Sequence, residues 1–153
     1  MQQPLTAGEL CTRSTAIAYR KTGLNEAARV MREQHVGSLV VVEETVAGRL
    51  TVGLLTDRDI VTAVVARDLN PSTLTVGDVM TADPVTARET DSVLDVLSAM
   101  RQKGVRRLPV TDAKGVLLGV ITLDDVLGVV SEQLRALVAA IESEQQREQR
   151  ARP

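Results

Sequence analysis

Gly53-Leu54-Leu55-Thr56-Asp57-Arg58-Asp59 returns 66 positions later as Gly119-Val120-Ile121-Thr122-Leu123-Asp124-Asp125. Upstream, Thr6-Ala7-Gly8-Glu9-Leu10-Cys11-Thr12 returns as Thr75-Val76-Gly77-Asp78-Val79-Met80-Thr81, an offset of 69 (6 to 75). Met31-Arg32 returns as Met100-Arg101 at the same offset, and Val36 and Leu39 return as Val105 and Leu108. The offset falls from 69 to 66 between these stretches, so the first copy carries three extra residues. A repeat of this length exceeds one supersecondary unit, and only two copies fit. Two like half-domains packed on each other are therefore expected, not an open solenoid.

Each copy reads in the same order. A short extended piece comes first, Ser14–Ala18 and then Asp83–Ala87, supported by Asp83-Pro84, because a residue before proline is pushed out of the helical region. A helix follows, near Leu24–Gln34 and Ser92–Lys103; in the second, Val93, Val96, Leu97 and Met100 make one apolar stripe. Ser92 or Asp91 is a plausible N-cap, and Gly104 a plausible stop. Strands are predicted at Ser38–Val42 and Leu50–Leu55, and at Arg107–Thr111 and Val116–Ile121. Asp112-Ala113-Lys114-Gly115 suits a hairpin turn, while Glu43–Arg49 is expected to be the longer loop that holds the extra residues. A second helix closes each copy, from Asp57 to Arg67 and from Leu123 onward.

The expected fold class is α+β: two β-α-β-β-α repeats packed through their sheets, plus a C-terminal helical extension. The predicted divisions are 6–67, a linker at 68–74, 75–130, a helix extension at 131–141 and a frayed or disordered tail at 142–153. Leu127, Val130, Leu134, Leu137, Val138 and Ile141 prolong a helical stripe beyond what one repeat needs. That stripe could pack on its own domain or form half of a subunit contact.

With 153 residues and 44% hydrophobic content, one compact domain, or two small ones sharing a core, is expected, with ample apolar content for that core. The chain has no Trp or Phe and a single tyrosine, Tyr19, so the core must be aliphatic. A net charge of −2 and near absence of aromatic side chains argue against nucleic-acid binding. One cysteine, Cys11, excludes an intrachain disulfide and a cysteine-based zinc site. Met1-Gln2-Gln3-Pro4 has no basic segment followed by an apolar run, and no stretch suits a bilayer span, so a cytoplasmic location without membrane binding is expected.

The Gly-x-x-Thr-x-x-Asp stretch sits in both copies where a strand runs into a helix. The threonine can cap that helix or face a ligand, and nearby free N–H groups can attract phosphate. The aspartate, about one turn on, could accept two hydrogen bonds from vicinal hydroxyls such as those of a ribose. The plainer reading is an N-cap with a carboxylate favourable to the helix dipole. Arg106 and Arg107 enter a strand; each presents a donor fork suited to phosphate, or is an ordinary solvent-facing side chain. The first copy has Gly37 and Ser38 there, with Val40 in place of Pro109, so the halves are not equivalent. His35 aligns with Gly104 and reads as a helix-end residue; Cys11 aligns with Met80 and reads as a small buried residue. Asp57 and Asp59 do not share a helix face, which argues against a dedicated metal site. No phosphate-binding loop of the Gly-x-x-x-x-Gly-Lys type and no nucleophile elbow is present.

Taken in order, the repeats resemble a tandem CBS domain pair, or Bateman module, of the stand-alone type. The residues that carry the resemblance are Val79-Met80-Thr81 with Pro84-Val85-Thr86, Arg107-Leu108-Pro109-Val110 and the repeated Gly-x-x-Thr-x-x-Asp, over about residues 6 to 130. The resemblance implies two clefts, each drawing on both repeats, that take adenosine-containing ligands. One, cleft A, would use Thr56 on phosphate and Asp59 on ribose, with Leu54, Pro84, Val85 and Pro109 around the base and Arg106 and Arg107 on phosphate. The other, cleft B, would use Val120, Thr122 and Asp125 with Thr15, Ala16, Gly37 and Ser38 opposite. The implied ligands are AMP, ADP or ATP, or else S-adenosylmethionine; no cofactor is required, and Mg²⁺ would arrive only with a nucleotide. The expected function is a non-catalytic regulatory module for energy sensing and signal transduction, a homodimer acting on an unknown effector protein. The alternative is a structural dimer module with vestigial clefts.

Overall fold

A computed structural model describes residues 5–152, so the reading of Met1–Pro4 lies outside the described residues, as does Pro153. The first repeat comprises α1 (Ala7–Leu10), β1 (Ile17–Ala18), α2 (Leu24–Gln34), β2 (Ser38–Thr45), β3 (Gly48–Thr56) and α3 (Asp57–Ile60), which continues into a π-helical turn at Val61–Val65. A 3₁₀ turn, Pro71–Thr73, lies in the linker. The second repeat comprises α4 (Val76–Val79), β4 (Thr81–Ala82), β5 (Ala87–Arg88), α5 (Val93–Lys103), β6 (Arg107–Thr111), β7 (Leu117–Thr122) and α6 (Leu123–Ala151). The architecture is the expected α+β.

Local chemistry fixes the helix ends. Asp95 N donates to the Ser92 hydroxyl and Ser92 N to the Asp95 carboxylate, both at 3.2 Å, a reciprocal cap that starts α5. Gly104 ends α5 in the left-handed region (φ 64°), and His35 does the same for α2 (φ 54°). His35 therefore serves a helix end, as its alignment with Gly104 predicts.

Two sheets form, in strand orders β1-β2-β3-β4 and β5-β6-β7. In each, the strand before the helix pairs parallel with the strand after it, Ile17 opposite Val40 and Ala87 opposite Val110. The antiparallel hairpins slip register at equivalent places, between Val41 and Val42 and between Val110 and Thr111. Glu43–Arg49 is not the loop expected. The strands continue to Thr45 opposite Gly48, and only Val46 and Ala47 turn. The Thr45 hydroxyl donates to Gly48 O (2.7 Å) and Arg49 Nε to Glu44 Oε1 (2.9 Å). These cross-strand bonds extend the hairpin over the extra residues.

The sheets exchange their leading segments. Thr81 of the second repeat pairs with Leu54 of β3, and Thr12 of the first pairs with Val120 of β7. Ala7 N and Gly8 N donate to Asp91 O (2.8 Å) and Glu89 O (2.9 Å), while Val76 N and Gly77 N donate to Thr22 O (2.8 Å) and Arg20 O (2.9 Å). The cores follow suit. Val76 is buried with Leu24, Leu39 and Leu55, and Ala7 is buried with Val96, Leu108 and Ile121. Leu50 bridges to Val116, its own repeat equivalent, along the line where β3 meets β7.

Three further expectations need revision. Of the leading pieces only Ile17–Ala18 and Ala87, the latter with Arg88, form strands; Ala16 O still accepts from Val40 N (3.1 Å), and residues 83–86 lie in no strand. Asp83 leaves the helical region but takes the left-handed one (φ 46°) rather than extended backbone, a conformation that a short carboxylate side chain tolerates. The tail expected to fray is helical to Ala151, because Glu, Gln, Arg and Ala are good helix formers that prolong α6 without tertiary support. Its stripe does not pack on the domain: Leu127, Leu134, Leu137, Val138 and Ile141 are exposed. Among the described residues, no helix is long and apolar enough to cross a membrane.

Candidate ligand clefts

Each cleft opens where a hairpin strand runs into its closing helix. Thr56 N donates to Asp59 Oδ2 (2.9 Å) and Asp59 N to Thr56 Oγ1 (3.1 Å). Thr122 and Asp125 repeat this box at 2.9 and 3.2 Å. Both threonine–aspartate pairs are thus helix caps, and the capping reading of this motif holds in both copies. The helix start is also tied to the residue that leads into the neighbouring strand, β2 or β6: Asp57 N donates to Gly37 O (3.0 Å), and Leu123 N to Arg106 O (2.8 Å).

Cleft A encloses about 450 Å³, within the range of small-molecule pockets. It gathers Leu54, Thr56 and Asp59 from the first repeat with Pro84, Val85, Arg106 and Arg107 from the second. Asp57, Arg58, Thr81, Asp83, Gly104 and Val105 line it too and were missed in the sequence. Pro109 does not line the cavity; it is buried within β6 opposite Val120. Three arginines, Arg58, Arg106 and Arg107, line it together with three aspartates, Asp57, Asp59 and Asp83. Two of the carboxylates are held at the helix start, Asp59 by Thr56 N and Asp57 by Arg58 N (2.8 Å). Among the described residues the only ion pairs are Glu44–Arg49 and Glu148–Arg152, so none of these three arginines has a carboxylate within 4.0 Å.

Cleft B is smaller, about 200 Å³. Thr15, Ala16, Gly37, Ser38, Val120 and Thr122 come together there. Asp125 does not line it; its carboxylate stays in the capping box with Thr122 N. Thr12, Ser14, Val36 and Val40 complete the wall, and so does Arg107 from β6. The lining of cleft B repeats that of cleft A through the offsets: Thr12 for Thr81, Ser14 for Asp83, Val36 for Val105. A sequence signal for these existed, since each missed residue lies inside a repeated stretch, but Arg107 reaching cleft B had none.

Cys11 is half-buried against the second core, and burial pushes its thiol pKa up. It is a packing residue, with its Sγ directed to Gly8 O at 3.5 Å. Among the described residues there is no cluster of three or more His, Cys, Asp or Glu side chains that could hold a metal ion.

Comparison with known proteins gives these folds and clefts a family. Residues 7–66 and 76–132 each match the CBS domain. A protein of Methanopyrus kandleri, MK0525, is 34% identical over 140 residues, covering 92% of this chain and 68% of its own. CBSX2 of Arabidopsis thaliana, solved in complex with AMP, superposes with a TM-score of 0.71 at 25% identity, covering 84% of this chain and 97% of its own. The CBS domain pair of MJ0100, solved with 5′-methylthioadenosine and S-adenosyl-L-methionine, superposes with a TM-score of 0.74, covering 86% of this chain and 99% of its own. At 23% identity this last likeness speaks to the fold alone.

Proposed function

Because the chain belongs to the CBS domain family and carries the domain twice, we propose that it is a non-catalytic regulatory module that binds an adenine nucleotide in cleft A. The observation that carries this reading is a cavity of about 450 Å³ built from both repeats and faced by three guanidiniums without ion pairs. Such donors suit phosphate oxygens, and Arg is the side chain best shaped for them. Leu54, Pro84 and Val85 give the base an apolar wall, and Asp59 keeps acceptor capacity for ribose hydroxyls beyond its bond to Thr56 N. The AMP complex of CBSX2 supports an adenosine ligand; the arginines favour AMP, ADP or ATP over S-adenosylmethionine.

A ligand touching both repeats favours one arrangement of them, and that preference is the signal. The module acts as a cytoplasmic homodimer on an effector protein. A second copy suits α6, because Leu127, Val130, Leu134, Leu137 and Ile141 recur at alternating spacings of three and four, the pattern by which two identical helices interlock.

Isothermal titration calorimetry of the protein against AMP, ADP, ATP and S-adenosylmethionine tests the reading. Saturable binding is expected for at least one nucleotide, and Asp59→Ala weakens it at least about tenfold by removing a charge-assisted acceptor. No heat with any of the four, from folded protein free of co-purified ligand, refutes it and favours the reading as a structural dimer module.

A further inference from the structure

In cleft A the position after Val105 is Arg106; in cleft B the equivalent position after Val36 is Gly37. The space a side chain would take at Gly37 is occupied by Arg107 of the other repeat on one side and by Asp57 of its own on the other. A Cβ built on Gly37 lies 3.0 Å from Arg107 Nη2, 3.6 Å from Arg107 Cζ and 3.2 Å from Asp57 Oδ2. Arg107 lines cleft A as well, and it is the one arginine that lines both. Among the described residues its guanidinium has no carboxylate within 4.0 Å. Cleft B has no other cationic side chain on its wall.

From this juxtaposition we infer that Arg107 is a shared phosphate ligand, which makes cleft B an anion site only while cleft A leaves the guanidinium free. The inference rests on the proposed nucleotide site. A phosphate in cleft A meets Arg58 and Arg106 and draws Arg107 toward them, and cleft B then offers a phosphate no positive charge. A phosphate in cleft B recruits Arg107 past Gly37 and takes one of three cations from cleft A. The two clefts are therefore negatively coupled for phosphate-bearing ligands, and by linkage the coupling is reciprocal. A nucleoside without phosphate has nothing to compete for and shows none.

Methyl-resolved NMR titrations test this, with Leu54 and Val85 reporting on cleft A and Ala16 and Val40 on cleft B. The probes are AMP and adenosine. In Asp59→Ala, at AMP concentrations too low to fill the weakened cleft A, cleft B is expected to bind AMP at least about fivefold tighter than in the wild-type protein with cleft A filled. With adenosine the ratio is unity. Arg107→Gln weakens AMP at cleft B and returns the AMP ratio to unity when the comparison is repeated in that background. Gly37→Ala, which keeps the arginine but crowds its Nη2, likewise weakens AMP at cleft B. Coupling of the opposite sign, no coupling with AMP, or coupling that survives Arg107→Gln overturns the inference. AMP filling cleft A while cleft B stays silent in Asp59→Ala also overturns it, and leaves the proposed function standing. Silence of both clefts toward AMP, ADP and ATP overturns both.

Discussion

Gly53 and Gly119 occupy equivalent places, each where a leading segment of the other repeat crosses its strand. A Cβ on Gly119 would lie 2.5 Å from Thr12 O and 2.8 Å from Cys11 Sγ, whereas one on Gly53 would lie 2.5 Å from Met80 Sδ. Thr12 O is backbone that accepts from Val120 N at 3.0 Å and cannot retreat without breaking that bond; the Met80 thioether can swing aside. Gly119→Ala is therefore expected to lower the free energy of unfolding by about 2–3 kcal/mol and Gly53→Ala by about 1 kcal/mol, read from urea denaturation. Tyr19 supplies a second test at this scale. Its hydroxyl donates to Glu44 Oε1 (2.8 Å), which also accepts from Arg49 Nε (2.9 Å). The bond to Glu44 holds the phenol pKa above its ordinary value, and the same bond, with help from Arg49, holds the carboxyl of Glu44 below its own. For Tyr19 the stabilisation is complete below the unfolded phenol pKa and lost as pH rises through the folded one. For Glu44 it is complete above the unfolded carboxyl pKa and lost as pH falls through the folded one. As the chain's one aromatic residue, Tyr19 can be titrated alone by ultraviolet absorbance. Its midpoint should lie above that of free tyrosine and fall back toward it in Glu44→Gln.

Helices α2 and α5 were legible in the sequence almost to the residue, because each has an apolar stripe and α5 also has a reciprocal cap and a glycine stop. The first hairpin was not. Glu43, Glu44 and Arg49 look like loop residues, and only cross-strand pairing reveals that they extend the ladder. The far end of α6 was misread for a related reason: a polar helix with no buried face carries no periodic signal. An isolated helix is marginal in water, so the exposed stripe of α6 points to burial elsewhere. The protein is expected to sediment as a dimer. Leu134→Glu with Leu137→Glu, placing charges at the centre of that stripe, should give a monomer with reduced ellipticity at 222 nm; a monomeric wild-type protein would contradict the dimer outright.

At the scale of the molecule, the repeat announced two halves and the resemblance the clefts between them, and apart from Val40 and Arg107 each residue that lines cleft B has its counterpart lining cleft A. The exchange of leading segments was not announced. A repeat in sequence says which parts are alike, not which copy each part packs against, and Arg107 reaches the far cleft only because of that packing. The exchange makes stability indivisible. A fragment ending at Leu69 lacks Val76, Val79 and Met80, which pack in the first core. It should melt without a cooperative transition by circular dichroism, and mixing it with the fragment from Asn70 onward should restore one. If the first fragment melts cooperatively alone, the halves are independent domains.

The exchange also orders events on the ribosome. Thr6–Thr12 leaves the exit tunnel well before its partners, Glu89, Asp91 and Val120, which are made only in the second repeat. The first core closes once Val76 has emerged; the second waits for β7 and must then receive a segment synthesised ahead of the whole first repeat's sheet. Folding of the first repeat's leading segment is thus held open until β7 of the second repeat has been made. In that interval the unseated segment could seat on the second repeat of another chain, an exchange of identical elements, and the high effective concentration within one chain is what favours the intramolecular pairing.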